Sequence, residues 1–161
     1  METQLLAKES ARAAIVEMGH TLIAKNLVAG SWGNISCRID EQSIAITPSG
    51  RGYELLKPED VVLIDREGAV LEGKCIPSSE LKVHTAIYNA YPEASAVIHT
   101  HSIYASALAA MHQDVPAIIE DIVQIIGGRV YCAEYALCGT QDLADKTVAA
   151  LRGRKAALLA N

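Results

Sequence analysis

The sequence predicts an α/β domain in which a sheet is covered by helices on both faces, a three-layer αβα arrangement. Segments with helical periodicity are interspersed with short β-branched runs, and most of the joins are short turns, the pattern of helices packed on a sheet. Half of the 161 residues are hydrophobic, with no Phe and a single Trp. The core is therefore built from Ala, Ile, Leu and Val, which lets layers approach closely. No repeat, low-complexity stretch or linker divides the chain, and its length suits one domain that buries roughly two-thirds of its unfolded surface. Residues 1–161 are read as a single domain.

Residues 4–28 place Leu5, Ile15, Met18, Leu22 and Ile23 at roughly helical spacing, with Ala between them, and predict one long helix. Gly30 to Asn34 supply a turn, and the alternating runs 34–40 and 42–48 predict a β-hairpin about Asp40–Glu41. A loop with a short helical turn follows over 49–60, then a buried strand over 61–65, a turn at 66–68 and an extended piece over 69–73. Pro77-Ser78-Ser79-Glu80 reads as a helix start with a hydroxyl cap. In the helix that follows, Leu81, Thr85 and Tyr88 form one stripe and Glu80 and His84 another, and Pro92 ends it. Residues 95–101 are a strongly β-branched strand and 102–112 a small-residue helix. The apolar segment 115–128 has no clean period and stays open between helix and strand. A strand over 129–135, a helix over 140–153 capped by Thr140 and stopped by Gly153, and a last strand over 155–160 complete the chain.

Composition removes several functional classes. With 14 basic and 19 acidic residues the formal charge is −5, which does not provide the basic footprint that nucleic-acid binding needs. An anionic ligand has to be held locally, by backbone N–H groups, hydroxyls or a metal. The longest apolar runs, such as 115–119 and 156–160, fall far short of the ~20 residues of a membrane span, and the first ten residues carry charges where a signal peptide has its apolar core. Cys37, Cys75, Cys132 and Cys138 show no C-x-x-C pairing. A soluble, cytoplasmic protein with reduced thiols is expected.

The chemistry concentrates in three places. In Val97-Ile98-His99-Thr100-His101, side chains two apart on a strand share a face, so His99 and His101 can present two imidazoles to one point. Two imidazole nitrogens are half of a typical zinc shell, although two solvated histidines at a strand end are the plainer alternative. Glu80 and His84 are neighbours on one helix face, and Glu80 can serve as a ligand, a base or simply a charge favoured at a helix N-terminus. Ser78 and Ser79, with free N–H groups at the same helix start, offer a phosphate cradle. Thr47-Pro48-Ser49-Gly50 adds a second hydroxyl-and-glycine turn able to close on an anion.

Taken in order and at these separations, Trp32-Gly33-Asn34-Ile35-Ser36, Ile46-Thr47-Pro48-Ser49-Gly50, Pro77-Ser78-Ser79-Glu80 and His99-Thr100-His101 resemble the class II aldolase/adducin family, above all its fuculose-phosphate aldolase branch. The resemblance implies an αβα fold on a mostly antiparallel central sheet. It also implies a zinc-dependent lyase that cleaves a ketose 1-phosphate to dihydroxyacetone phosphate and an aldehyde through a metal-stabilised enediolate. Residue by residue, His99 and His101 become ligands of one divalent metal ion per chain, and Glu80 the catalytic acid/base. Asn34, Ser49, Gly50, Ser78 and Ser79 fall on the positions that hold the substrate phosphate. The family's active sites lie between subunits of a cyclic tetramer, which implies a homo-oligomer.

Two departures accompany the match. The family's third histidine ligand follows a run like that at 155–161, so it is expected just beyond Asn161 in a chain that is C-terminally truncated; His84 and Glu80 are the local alternatives. Where the aldolase has a proton-donating tyrosine, this sequence has Glu120. A ribulose-5-phosphate 4-epimerase, which shares the fold and the bond-breaking step, is the enzymatic alternative. A non-catalytic adducin-like module is the other, opposed by the retention of His99, His101 and Glu80 together.

Overall fold

The computed structural model describes residues 2–160, with side chains described from Leu5 onward. Helix α1 (Glu2–Ala24) leads into an antiparallel hairpin of β1 (Asn34–Arg38) and β2 (Ser43–Ile46). The Asp40 carboxylate fixes the hairpin turn by accepting the Gln42 and Ser43 N–H groups at 2.9 and 2.8 Å. Two single 3₁₀ turns, Tyr53–Leu55 and Pro58–Asp60, occupy the expected loop. Strands β3 (Val62–Asp65) and β4 (Val70–Glu72) pair about the turn at 66–68. Then come α2 (Leu81–Ala90), β5 (Ala96–His99) and α3 (Ile103–Ala110). The chain closes with β6 (Tyr131–Ala133), α4 (Gln141–Leu151) and β7 (Ala157–Leu159).

The central sheet is antiparallel, with strand order β4-β3-β2-β1-β5, and a separate parallel pair joins β6 to β7. Alternation along the strands divides the core between the two faces. Ile35, Ala45 and Leu63 point to one side, where Ile15 and Leu22 of α1 bury with Tyr53 and Val61. Ile44, Ile46, Val62 and Ile64 point to the other and pack around Tyr88 of α2. Each fully buried Ile, Leu or Val contributes roughly 1.5–3 kcal/mol, so the two faces together clamp the sheet. Val83 of α2 buries in turn against Leu143 and Ala144 of α4.

Two local expectations are revised and one open segment is resolved. Strand β5 ends at His99, because the His101 N–H leaves the sheet and donates to the Leu27 carbonyl at 2.8 Å. The hydroxyl before α2 acts one residue early: Ser78 Oγ accepts the Glu80 N–H at 3.3 Å, and Glu80 occupies the capping position without a side-chain cap bond of its own. Segment 115–128, open in the sequence, resolves into a bridge pairing Val115 with Val130 and one π-helical turn, Ile122–Ile126, ended by left-handed Gly127. Thr140 caps α4 as expected, its hydroxyl accepting the Leu143 N–H at 3.2 Å, and the chain turns out through left-handed Arg152 and Gly153.

Candidate active site

The site forms where the end of β5, the start of β1 and the start of α2 meet. Antiparallel pairing sets Asn34 opposite His99. The two residues of β1 that face α2, Asn34 and Ser36, are polar and buried. Opposite them, Glu80, His84 and Tyr88 recur every fourth residue, so they share one face of the helix. This places Tyr88 with Glu80 and His84, not on the stripe with Leu81 and Thr85 that the sequence suggested.

Glu80 is 7% exposed and accepts a 2.7 Å hydrogen bond from Asn34 Nδ2. Asn34 Oδ1 in turn contacts His84 Nε2. The other ring nitrogen of His84 lies 2.6 Å from Ser36 Oγ, which is 2.9 Å from the Tyr88 hydroxyl. Burial, with a smaller push from the charge of His99, drives the His84 imidazole down to about 3, so it is neutral. Both of its nitrogens are engaged, which removes His84 as a metal ligand.

His99 and His101 do converge, despite the early end of the strand. Their Nε2 atoms are 3.1 Å apart and their rings stand edge to face. The Glu80 carboxylate reaches to 3.7 Å from His99 Nε2. Burial lowers the pKa of His99, while Glu80 raises it and His101 lowers it further. At this separation two facing lone pairs would repel, so a proton or a cation has to lie between the two Nε2 atoms. Their separation is close to the ~3.3 Å edge of a tetrahedral shell with ~2.0–2.1 Å bonds, so the donor pair fits a zinc-like ion. Among the described residues no group of three or more His, Cys, Asp or Glu closes on one point, and the pair therefore supplies half a shell. The Trp32 ring leans on His101 at 5.6 Å between centroids.

Gly33 makes this approach possible. Its φ is +80°, and a Cβ there would lie 2.6 Å from the His99 carbonyl oxygen and 2.8 Å from Val28 Cγ1. No side chain fits between the turn and the strand end that carries the imidazoles.

The two hydroxyl turns predicted to hold an anion lie side by side. Pro48 bridges to Pro77, the Ser49 N–H donates to the Ile76 carbonyl at 2.8 Å and the Ser78 N–H to the Thr47 carbonyl at 3.0 Å. The N–H of Ser78 is thus committed within the protein, contrary to expectation. Ser49, Gly50 and Ser79 are exposed, whereas Ser78 is buried. Asn34 stands apart, its amide between Glu80 and His84; Nδ2 carries a second hydrogen, which an anion can accept.

Residues 13–161 match the class II aldolase and adducin N-terminal domain. The chain belongs to the class II aldolase and adducin family. Among its relatives, the 5-deoxy-D-ribulose 1-phosphate aldolase of Bacillus thuringiensis is 42% identical over 158 residues, covering 98% of this chain and 73% of that protein. The L-fuculose phosphate aldolase of Escherichia coli is 36% identical over 159 residues, covering 99% and 71%. A solved L-fuculose 1-phosphate aldolase superposes with a TM-score of 0.89 at 37% identity, covering 94% of this chain and 72% of that one. The class II aldolase fold, α/β with a mostly antiparallel central sheet, is therefore established for this chain, as the resemblance implied.

Three residues around these groups escaped the sequence. Ser36 and Tyr88 extend the polar line behind Asn34 and His84, and the period-two and period-four spacings Asn34/Ser36 and Glu80/His84/Tyr88 were the available signal. Cys138 has no such signal. Its thiol is raised by burial and then by the neighbouring Glu80 carboxylate, and Gly139 beside it passes so close to Ser79 that a Cβ would sit 3.0 Å from the Ser79 carbonyl oxygen. Glu120, which the resemblance would set in place of a tyrosine, accepts from Gln124 Nε2 at 2.8 Å and is exposed.

Proposed function

We propose that this protein is a divalent-metal-dependent lyase that cleaves a ketose 1-phosphate to dihydroxyacetone phosphate and an aldehyde. The observation that carries the reading is the convergence of His99 and His101, with the buried Glu80 Oε2 beside them at 3.7 Å from His99 Nε2. The relatives named above, aldolases of fuculose phosphate and deoxyribulose phosphate, support it.

His99 and His101 would hold the ion through their imidazole nitrogens, a donor type that suits zinc. Such an ion polarises a substrate carbonyl as a Lewis acid. Glu80 moves the proton at the carbon next to the carbonyl of dihydroxyacetone phosphate: as the C3–C4 bond breaks and the aldehyde forms, the Glu80 carboxylate takes up the C4 hydroxyl proton through water and then delivers a proton to C3. Ser49, Gly50, Ser78 and Ser79 hold the phosphate with hydroxyl and backbone groups, joined by the second hydrogen of Asn34 Nδ2, which suits a chain of net charge −5.

Exposed Ile103, Tyr104 and Ile118, between 73% and 85% accessible, support a homo-oligomer, which we take as the tetramer that the family resemblance implies. No helix among the described residues is long and apolar enough to cross a membrane, and the cysteines are free thiols, in keeping with a cytoplasmic enzyme.

Incubation of the full-length, metal-loaded protein with single ketose 1-phosphates, followed by trapping of carbonyl products, tests the reading. Equimolar dihydroxyacetone phosphate and aldehyde are expected. A pentulose phosphate epimerised at C4 with no free aldehyde would replace the aldolase by an epimerase, and no turnover of any ketose phosphate would leave a binding module.

A further inference from the structure

The line of buried polar groups behind Glu80 has a direction. An ionised carboxylate only accepts, so Asn34 must present Nδ2 to Glu80, and its Oδ1 then faces His84 Nε2. That nitrogen must therefore carry the hydrogen, which leaves Nδ1 as a bare acceptor for the Ser36 hydroxyl. Ser36 has one hydrogen and spends it there, so its oxygen accepts from the Tyr88 hydroxyl. Every bond donates toward Glu80. All five residues are 7% exposed or less, and a one-way chain in such surroundings strengthens each of its members. The far end is anchored as well: Arg38 donates to the Tyr88 carbonyl at 3.1 Å and stacks over its ring at 4.8 Å.

We propose that Tyr88, Ser36 and His84 are positioning residues that lock the Asn34 amide in the orientation that holds the Glu80 carboxylate for proton transfer. The proposal rests on Glu80 as the acid/base. It explains why β1 spends two buried positions on polar residues where β2 and β3 place Ile and Val against the same helix. It requires one tautomer of His84, because the alternative, with hydrogen on Nδ1, sets lone pair against lone pair at Asn34 and hydrogen against hydrogen at Ser36 unless both partners turn over. A turned Asn34 would point its carbonyl oxygen at the carboxylate. The neutrality imposed on His84 by burial is compatible with this single-proton arrangement.

The test uses the full-length, metal-loaded protein and two kinds of readout. Nitrogen-15 NMR of the His84 ring is expected to show hydrogen on Nε2 and an unprotonated Nδ1. In kinetics, His84→Gln keeps an N–H near the Nε2 position and His84→Met keeps the length without a donor. His84→Met is expected to lower kcat about 10- to 100-fold, the usual effect of releasing a hydrogen bond to a charged group, with KM within about twofold and metal content unchanged. His84→Gln is expected to recover most of that loss. Should neither variant fold, Tyr88→Phe removes only the terminal hydroxyl, and a fall in kcat without a change in KM is expected there too. Hydrogen on Nδ1, or equal losses in the Gln and Met variants, would overturn the proposal. Glu80→Gln measured alongside separates the two ideas: full turnover in it removes the acid/base role of Glu80 itself, whereas collapse in it with normal kcat in His84→Met and Tyr88→Phe removes only the positioning role.

Discussion

Replacing Gly33 by Ala tests whether the turn before β1 holds the imidazole pair in place. Two costs combine. The backbone there has φ +80°, a left-handed conformation that costs a residue with a Cβ roughly 1–2 kcal/mol. The added carbon would also lie 2.6 Å from the His99 carbonyl oxygen and 2.8 Å from Val28 Cγ1, both inside contact distance. The carbonyl belongs to the strand backbone and cannot swing away as a side chain can, so β5 must shift by several tenths of an ångström, adding about 1–2 kcal/mol by comparison with overpacked cores. The total, ~2–4 kcal/mol, lowers Tm by roughly 4–16 °C for a chain of this size. Gly30→Ala is the control: its φ is +57° with nothing within 4 Å of the new carbon, so only the conformational cost applies. Paired thermal melts with elemental analysis provide the assay, and Gly33→Ala is expected to lose both more stability than Gly30→Ala and part of its bound metal. Equal losses in the two variants, with metal content unchanged, would refute the close-approach argument.

Three further outcomes follow from the site. His99→Ala and His101→Ala should each release the divalent ion from full-length protein while far-ultraviolet dichroism stays near wild type; retention of metal in both would remove the imidazole pair as its binding site. Ser79→Ala should weaken a phosphorylated inhibitor by roughly 1–3 kcal/mol, the cost of losing one hydrogen bond to a charged group, and leave a phosphate-free analogue unaffected. His84 should make stability fall in acid. Its folded value of about 3 lies below the usual 6.5, so under pH 6.5 the unfolded chain takes up a proton that the folded chain refuses until pH approaches 3. Stability is therefore lost as pH falls through that window, by up to about 1.4 kcal/mol per pH unit. Denaturant midpoints between pH 7 and pH 4.5 should fall less steeply in His84→Gln than in wild type, and parallel slopes would contradict the buried neutral imidazole.

Much of the fold was legible because burial here follows simple periods. The alternation in 42–48 and the continuous apolar run of 61–65 read as a half-buried and a buried strand, in line with the packing of Ile44, Ile46, Val62 and Ile64 against one layer and Ala45 and Leu63 against the other. Local turn chemistry placed the hairpin and the α4 cap, since Asp40 and Thr140 act on N–H groups two or three residues away. Segment 115–128 was not legible, because its apolar residues obey neither period and many stay exposed, Ile118 at 78% among them. The site was legible in its residues and not in its wiring. His99, His101 and Glu80 stand in recognisable spacings, but what Asn34 touches depends on the register of β1 against β5 and on how α2 crosses β1. Tyr88 shows the limit: an aromatic on a helix reads as core, and only the polar partner across the layer reveals that its hydroxyl is in use.

The central claim is that Glu80 carries the proton, and the most direct measurement is hydrogen exchange at the carbon next to the carbonyl of dihydroxyacetone phosphate, catalysed by Glu80→Gln in full-length, metal-loaded protein. The substitution keeps size and hydrogen bonding at the start of α2 and removes the titrating group. The account predicts an exchange rate lower by ~10²–10⁴, the usual worth of a general base, with metal content and dihydroxyacetone phosphate affinity retained. If Glu80 served only as a charge at the helix start, the same change would cost about 0.3–1 kcal/mol of stability and leave exchange near normal. Exchange within roughly tenfold of wild type would contradict the account, being too small a loss for a removed base.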